Sequence, residues 1–182
     1  MIRRTHLAVL ASTWVACQGA LLRIDVEEST STVIGRGTPL EVLVSDIGFD
    51  DLVALDLTTA TELENQGVAP GDIVDARFTS FTLSAVAPAG ADLSFLDDLS
   101  FWVEAPDLPR VRIAAQDTFG DAASVDLALD DVDLTPYLVS QAMTITTEAT
   151  GRRPSVDTEV EASFVLNVGV TAQGACNYLN GE

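Results

Sequence analysis

The segment VDTEVEASFVLNVGVT, residues 156–171, constrains the fold most strongly because its polarity alternates from one residue to the next. A period of two is typical of a β-strand with one buried and one wet face, whereas a helix would spread the acids around its circumference. We therefore predict a long strand that packs one face on a core. The residues predicted to face the core are Val156, Thr158, Val160, Ala162, Phe164, Leu166, Val168 and Val170.

Four shorter segments show the same alternation: LLRIDVEE (21–28), LSFWVE (99–104), RVRIA (110–114) and SVDLALD (124–130). In a fifth segment, IVDARFTSFTLSAVAP, the apolar parity changes near Thr79 and Ser80. Such a change predicts either a β-bulge or a strand that passes from one sheet to another. The core-facing residues predicted in the four shorter segments are Leu22, Ile24, Val26, Leu99, Phe101, Val103, Val111, Ile113, Val125, Leu127 and Leu129.

Glycine- and proline-containing turns separate these strands, and short helical segments interrupt them. TATELENQG (59–67) has the capping pattern of a helix start, and LTPYLVS (134–140) has Thr135 as its predicted N-cap. Many short strands with such punctuation are typical of all-β proteins. We predict an antiparallel β-sandwich, immunoglobulin-like or jelly-roll-like, with one or two short helices.

The N-terminal segment has the parts of an export signal. Arg3 and Arg4 precede an apolar run at residues 7–16, which is too short to span a bilayer. The run ends in Val15-Ala16-Cys17, which resembles the lipobox of bacterial lipoprotein precursors. This resemblance implies cleavage before Cys17 and lipid attachment to its side chain. The alternatives are simple secretion without a lipid and an ordinary core cysteine in an N-terminal strand or helix.

This interpretation divides the chain into a signal peptide (1–16), a lipidated N-terminus and short tether (17–20), a β-sandwich domain (21–175) and a C-terminal tail (176–182). With lipid on Cys17, Cys176 is single; without it, the two could form a disulfide after export. The stretches ELENQGVAPGDIVDARFTSFTLSAV and DLSFLDDLSFWVEAPDLPRVRIA also resemble uncharacterised all-β lipoproteins of Gram-negative bacteria. That resemblance implies an exported protein anchored in the cell envelope, with the outer membrane as its location.

The charge balance restricts the partners of the mature part. Its 28 acids and seven arginines, the nine of the chain less Arg3 and Arg4, give a formal charge of −21, and the chain has no lysine. Such a balance excludes nucleic-acid binding and direct docking on anionic lipid headgroups. The partners predicted are therefore the membrane, reached through the lipid, and an envelope protein or glycan. Arg152 and Arg153 form the only basic cluster of the mature part, in ATGRRPS (149–155), which is predicted to be a hairpin loop.

The side chains present further restrict the catalytic and metal-binding sites that the protein can have. The single histidine, His6, lies in the predicted signal peptide, so the mature part lacks a Ser-His-Asp triad and any histidine-ligated metal site. Without lysine, Schiff-base chemistry and a P-loop are also excluded. Carboxylate chemistry remains, in the form of a calcium site or a two-acid glycosidase. The candidate calcium ligands are Asp46, Asp50, Asp51, Asp130, Asp131 and Asp133, with a solvated acidic surface as the alternative for each cluster.

Trp102 is the one candidate for a ligand contact outside the acids. It lies on the outward parity between Phe101 and Val103, where it could be a ligand platform or could lie under a loop. We predict a non-catalytic, lipid-anchored envelope protein with a binding or structural role and no cofactor other than calcium. A calcium-dependent adhesion or carbohydrate-binding module is the first alternative, and a carboxylate-based glycosidase is the second.

Overall fold

Two antiparallel β-sheets form the body of the protein in the computed structural model, which describes residues 20–38, 42–44, 68–140 and 142–172. The predicted all-β sandwich is therefore confirmed. Its strands are β1 (Leu22–Ile34), β2 (Val42–Val44), β3 (Ile73–Ala87), β4 (Leu96–Ala105), β5 (Leu108–Gln116), β6 (Ser124–Asp126), β7 (Ala128–Leu129), β8 (Thr144–Arg152) and β9 (Thr158–Val170).

The first sheet has the strand order β1-β9-β3-β6, and the second has the order β2-β8-β4-β5-β7. A 3-10 helix (Pro70–Asp72) precedes β3, and an α-helix, α1 (Thr135–Val139), precedes β8. The predicted helix at 59–67 lies outside the described residues. Within the described part of the chain, no helix combines the length and the apolar character needed to cross a membrane.

The core lies between the sheets and follows the predicted parity. In β9, every second residue from Thr158 to Val170 is buried, whereas Val156 precedes the strand and is 48% exposed. Phe81, Phe101 and Phe164 are fully or almost fully buried, and the ring of Phe81 lies 4.4 Å from that of Phe101 and 5.4 Å from that of Phe164. Because these rings come from both sheets, they join the two layers.

A β-bulge causes the parity change in β3. The pairing of β3 with β9 shifts between Phe78 and Ser80, as the sequence predicts, and β3 stays beside β9 along its whole length. The alternative of a strand that changes sheets is therefore wrong for this segment. A second register shift occurs around Asp75, whose positive φ of 53° is uncommon for a residue with a side chain.

Two other segments do pass between the sheets, contrary to prediction. SVDLALD is split, because β6 pairs with β3 in the first sheet and β7 pairs with β5 in the second. Leu127 lies buried at the crossing, and its amide donates to the Phe81 carbonyl oxygen over 2.8 Å. ATGRRPS is not a hairpin loop either, since β8 and β9 belong to different sheets.

The helix α1 begins one residue earlier than predicted. Leu134 is the N-cap, and Thr135 is the first helical residue. The Thr135 hydroxyl oxygen instead accepts a hydrogen bond from the amide of Ala76 over 3.0 Å, which ties the helix to β3. Tyr137 in the same helix donates its hydroxyl to the carbonyl oxygen of Pro109 over 2.7 Å.

The sandwich has two distinct ends. At the near end, β1 begins beside the end of β9, with Leu22 opposite Val170. At the far end, Ile34 lies opposite Thr158, and the Gly37 amide donates to the Pro154 carbonyl oxygen over 3.0 Å. The 13 residues of β1 connect these ends and span about 40 Å at the usual rise of a strand.

Candidate functional site

The predicted acidic cluster at residues 130–133 does not converge on one point. Asp130 accepts hydrogen bonds from Nε of Arg112 at 2.7 Å and from its Nη2 at 3.3 Å. Asp131 pairs with Nη1 of Arg77, and Asp133 accepts the backbone amide of Thr135 over 3.0 Å at the helix start. Each of the three carboxylates therefore has its own protein partner.

The electrostatics of this cluster fit surface ion pairs. The hydrogen bond and charge of Arg112 lower the pKa of Asp130, so its carboxylate remains ionised and occupied by that guanidinium. Among the described residues, no three carboxylate, histidine or cysteine side chains come together in a way that could hold a metal ion. Asp46, Asp50 and Asp51, the other candidate calcium ligands, lie outside the described residues, and so does Cys17.

Trp102 lies on the outer face of the second sheet, half-buried, between the fully buried Phe101 and Val103. The guanidinium carbon of Arg110, on the adjacent strand β5, lies 4.5 Å from the centre of the Trp102 ring. The indole Nε1 donates to the Ser100 hydroxyl over 2.9 Å. The indole is therefore covered in part by an arginine of its own sheet, an arrangement that a cation–π interaction stabilises.

Arg110 is held in this position by the strand on the other side of Trp102. Its Nη1 donates to Oε1 of Glu148 over 2.7 Å, and its Nη2 donates to the Thr146 hydroxyl over 3.0 Å. Both acceptors lie on β8, so the guanidinium crosses β4 above the indole. A ligand that stacked on Trp102 would first have to displace Arg110, which leaves this residue a poor platform.

A groove of about 400 Å³ opens at the far end. One wall is the connection between β3 and β4, and the other is the connection between β8 and β9. The apolar part of the lining includes Pro88, Phe95, Pro154 and Val156. Its charged part consists of Asp92, Arg152 and Arg153.

Close backbone packing builds this groove. The Arg152 amide donates to the Phe95 carbonyl oxygen over 2.7 Å, which joins the two walls. Gly151 has a φ of 155°, and a Cβ at this position would overlap the Phe95 carbonyl oxygen. Glycine is thus required where the backbones meet. Arg153 donates from Nη1 to the Gly35 carbonyl oxygen over 3.2 Å, which connects the groove to the end of β1.

The far end differs from the rest of the molecule in its arginines. The described residues contain seven arginines, and four of them, Arg23, Arg77, Arg110 and Arg112, form ion pairs with carboxylates. In the described chain, the other three make no ion pair, and all of them lie at the far end: Arg36, Arg152 and Arg153. Arg152 and Arg153 are visible in the sequence as a cluster, whereas Arg36 joins them only through the pairing of β1 with β9.

Comparisons with known proteins add no family to this description. No protein-family model matches the chain, and a search of curated proteins gives no significant match.

Proposed function

We propose that the protein is a non-catalytic, lipid-anchored component of the cell envelope, at the outer membrane, and that its far end binds a partner. The observation that carries this proposal is the position of β1, which starts at Leu22, five residues after Cys17. A lipid on Cys17 would hold the near end close to the membrane surface, because so short a connection allows little separation.

The far end would then face away from the membrane. The length of β1 separates the two ends by about 40 Å. The groove with Arg152 and Arg153, and Arg36 beside the end of β1, lie at this end, where a partner could reach them; none of the three pairs with a carboxylate in the described chain. This placement favours a binding role over a purely structural one.

The acid chemistry supports the proposal over both alternatives. A two-acid glycosidase needs a facing pair of carboxylates, and among the described lining residues of the groove Asp92 is the single acid. Its Oδ1 accepts the amide of Ser94 over 3.0 Å and the Ser94 hydroxyl over 2.5 Å. A calcium module would bring several carboxylates to one point, whereas Asp130, Asp131 and Asp133 have separate partners.

Metabolic labelling tests the anchor. The full chain is produced in a Gram-negative host that is fed labelled palmitate, together with Cys17→Ser and, as a matched control, Cys176→Ser. We expect label in the wild type and in Cys176→Ser, and a longer, unlabelled chain from Cys17→Ser because cleavage depends on lipidation. Label that is absent from the wild type, or that is retained by Cys17→Ser, would contradict the proposal.

A further inference from the structure

The three arginines at the far end are an exception in an acidic molecule. The mature part has four acids for every arginine, so a guanidinium on its surface has many possible carboxylate partners. In the described chain the side chains of Arg36 and Arg152 make no hydrogen bond, and Arg153 contacts only the uncharged Gly35 carbonyl oxygen. Their charges are therefore available to an anion from outside.

Exposed apolar side chains lie at the same end. Val156, which is 48% exposed, lines the groove beside Phe95 and Pro88. In the first sheet near this end, Val33 lies opposite Glu159 of β9 and is 63% exposed, and Val86, at the register shift before Ala87, is 46% exposed. Arginine next to exposed apolar groups is a composition that is common in protein–protein interfaces.

We propose that the far-end groove binds an acidic peptide segment of a partner protein. Carboxylates of the segment would pair with Arg152 and Arg153, since guanidinium groups bind carboxylates through two parallel hydrogen bonds. An apolar side chain between them would contact Phe95 and Val156. This inference deepens the binding role proposed above and is independent of the lipid on Cys17.

Two features of the molecule further restrict which anionic partner can bind and how it is oriented. The formal charge of −21 on the mature part repels a long polyanion, such as an acidic polysaccharide, more strongly than a peptide with two carboxylates. Asp92 lies in the groove, and its hydrogen bonds from the Ser94 hydroxyl and amide lower its pKa, so it remains anionic. The acids of the peptide therefore belong on the side of Arg152 and Arg153, away from Asp92.

Titration with defined peptides tests the proposal by amide chemical shifts of the ¹⁵N-labelled full chain in detergent. The probes are acetyl-Glu-Phe-Glu-amide, its neutral counterpart acetyl-Gln-Phe-Gln-amide, and polygalacturonate as an acidic polysaccharide. We expect the acidic peptide to shift amides at residues 89–95, 152–153 and 155–156, and the neutral peptide to bind about tenfold more weakly. Equal binding of the two peptides, or tighter binding of polygalacturonate, would overturn the proposal.

Paired variants separate a specific site from general charge attraction. Arg152→Gln/Arg153→Gln should weaken binding of the acidic peptide about tenfold, and Arg152→Gln alone provides a variant without a lost intramolecular hydrogen bond. Arg23→Gln/Arg77→Gln removes the same charge at the near end and should leave binding within about twofold of the wild type. Equal weakening by both double variants would overturn the inference, even where palmitate labelling of Cys17 succeeds.

Discussion

The two ends of the sandwich differ in whether their arginines pair with carboxylates. At the near end, Arg23 and Arg77 share the carboxylate of Asp75, and Arg77 also pairs with Asp131. At the far end, Arg152 and Arg153 line a groove and pair with no carboxylate in the described chain. Within the described residues, the near end therefore pairs its arginines with carboxylates and the far end does not.

This difference between the ends is informative because unpaired arginines lower the stability of the fold so little. An exposed ion pair contributes only about 0–1 kcal/mol to stability, so arginines can be left unpaired without unfolding the domain. Stability therefore places few limits on where arginines without a carboxylate partner can lie. The contrast holds only while a rigid core keeps the ends apart and while the far-end backbone keeps its shape.

The largest expected effect concerns the core that joins the ends. Phe164 is 2% exposed, with its ring 5.1 Å from that of Phe78 and 5.4 Å from that of Phe81. Phe164→Ala should lower the free energy of unfolding by about 3–5 kcal/mol, because it removes buried surface and leaves a cavity. Urea denaturation measures this loss. Val165→Thr, on the outward parity of β9, should cost far less; equal losses would mean that both faces of β9 are buried.

The second effect is confined to the far end. Gly151→Ala should lower the free energy of unfolding by about 2–4 kcal/mol, because the φ of 155° and the nearby Phe95 carbonyl oxygen leave no room for a Cβ. Gly71→Ala, near the start of β3, is the matched control, since a Cβ there would meet no atom within 4 Å. Thermal unfolding compares the stability of the two variants. If Gly151→Ala were as stable as Gly71→Ala, the groove walls would not be in close contact.

The third effect acts on the net charge that both ends share. Because like charges repel one another and the chain has a formal charge of −19, sodium chloride should raise the melting temperature as the screening length shortens from about 30 Å at 0.01 M to about 10 Å at 0.1 M. Calorimetry of the full chain in detergent measures the rise. Calcium and magnesium at equal ionic strength should act alike, and a rise specific to calcium would favour the calcium module instead.

The smallest effect concerns the near-end ion pairs. Arg77 and Arg23 lower the pKa of Asp75 below its usual value of 3.8. A folded pKa below the unfolded one gives stability that is present above the unfolded pKa and is lost as the pH falls through the folded pKa. Unfolding free energies between pH 5 and about pH 2 should therefore fall more steeply for the wild type than for Asp75→Asn. In an Arg23→Gln/Arg77→Gln background, Asp75→Asn should no longer change that slope.

Local alternation was sufficient to predict most strands and their buried faces. In β4, Leu99, Phe101 and Val103 are buried as predicted, because a half-buried strand imposes a period of two on its own residues. The bulge near Ser80 was predictable for the same reason, since an extra residue reverses the parity within one segment. These features require no knowledge of the partner strand.

Features that depend on which strands pair with each other could not be predicted from the sequence. SVDLALD keeps its alternation while it crosses between sheets at Leu127, so the pattern cannot show which strand each half joins. Trp102 has the predicted outward position, but its cover by Arg110 depends on the register shift between β4 and β5 beside it. Arg36 lies at the same end as Arg152 and Arg153 because β1 and β9 pair over their full length, and its neighbours Gly35 and Gly37 accept from Arg153 and donate to Pro154.

Chemical modification of the arginines tests the contrast between the ends most directly. The purified full chain is treated with an arginine-selective phenylglyoxal reagent, and mass spectrometry follows each site over time. We predict that Arg36, Arg152 and Arg153 react first, because no carboxylate of the described residues holds their guanidinium groups, and that Arg23 and Arg77 react several-fold more slowly. Equal rates at both ends, or faster modification of Arg23 and Arg77, would contradict the account.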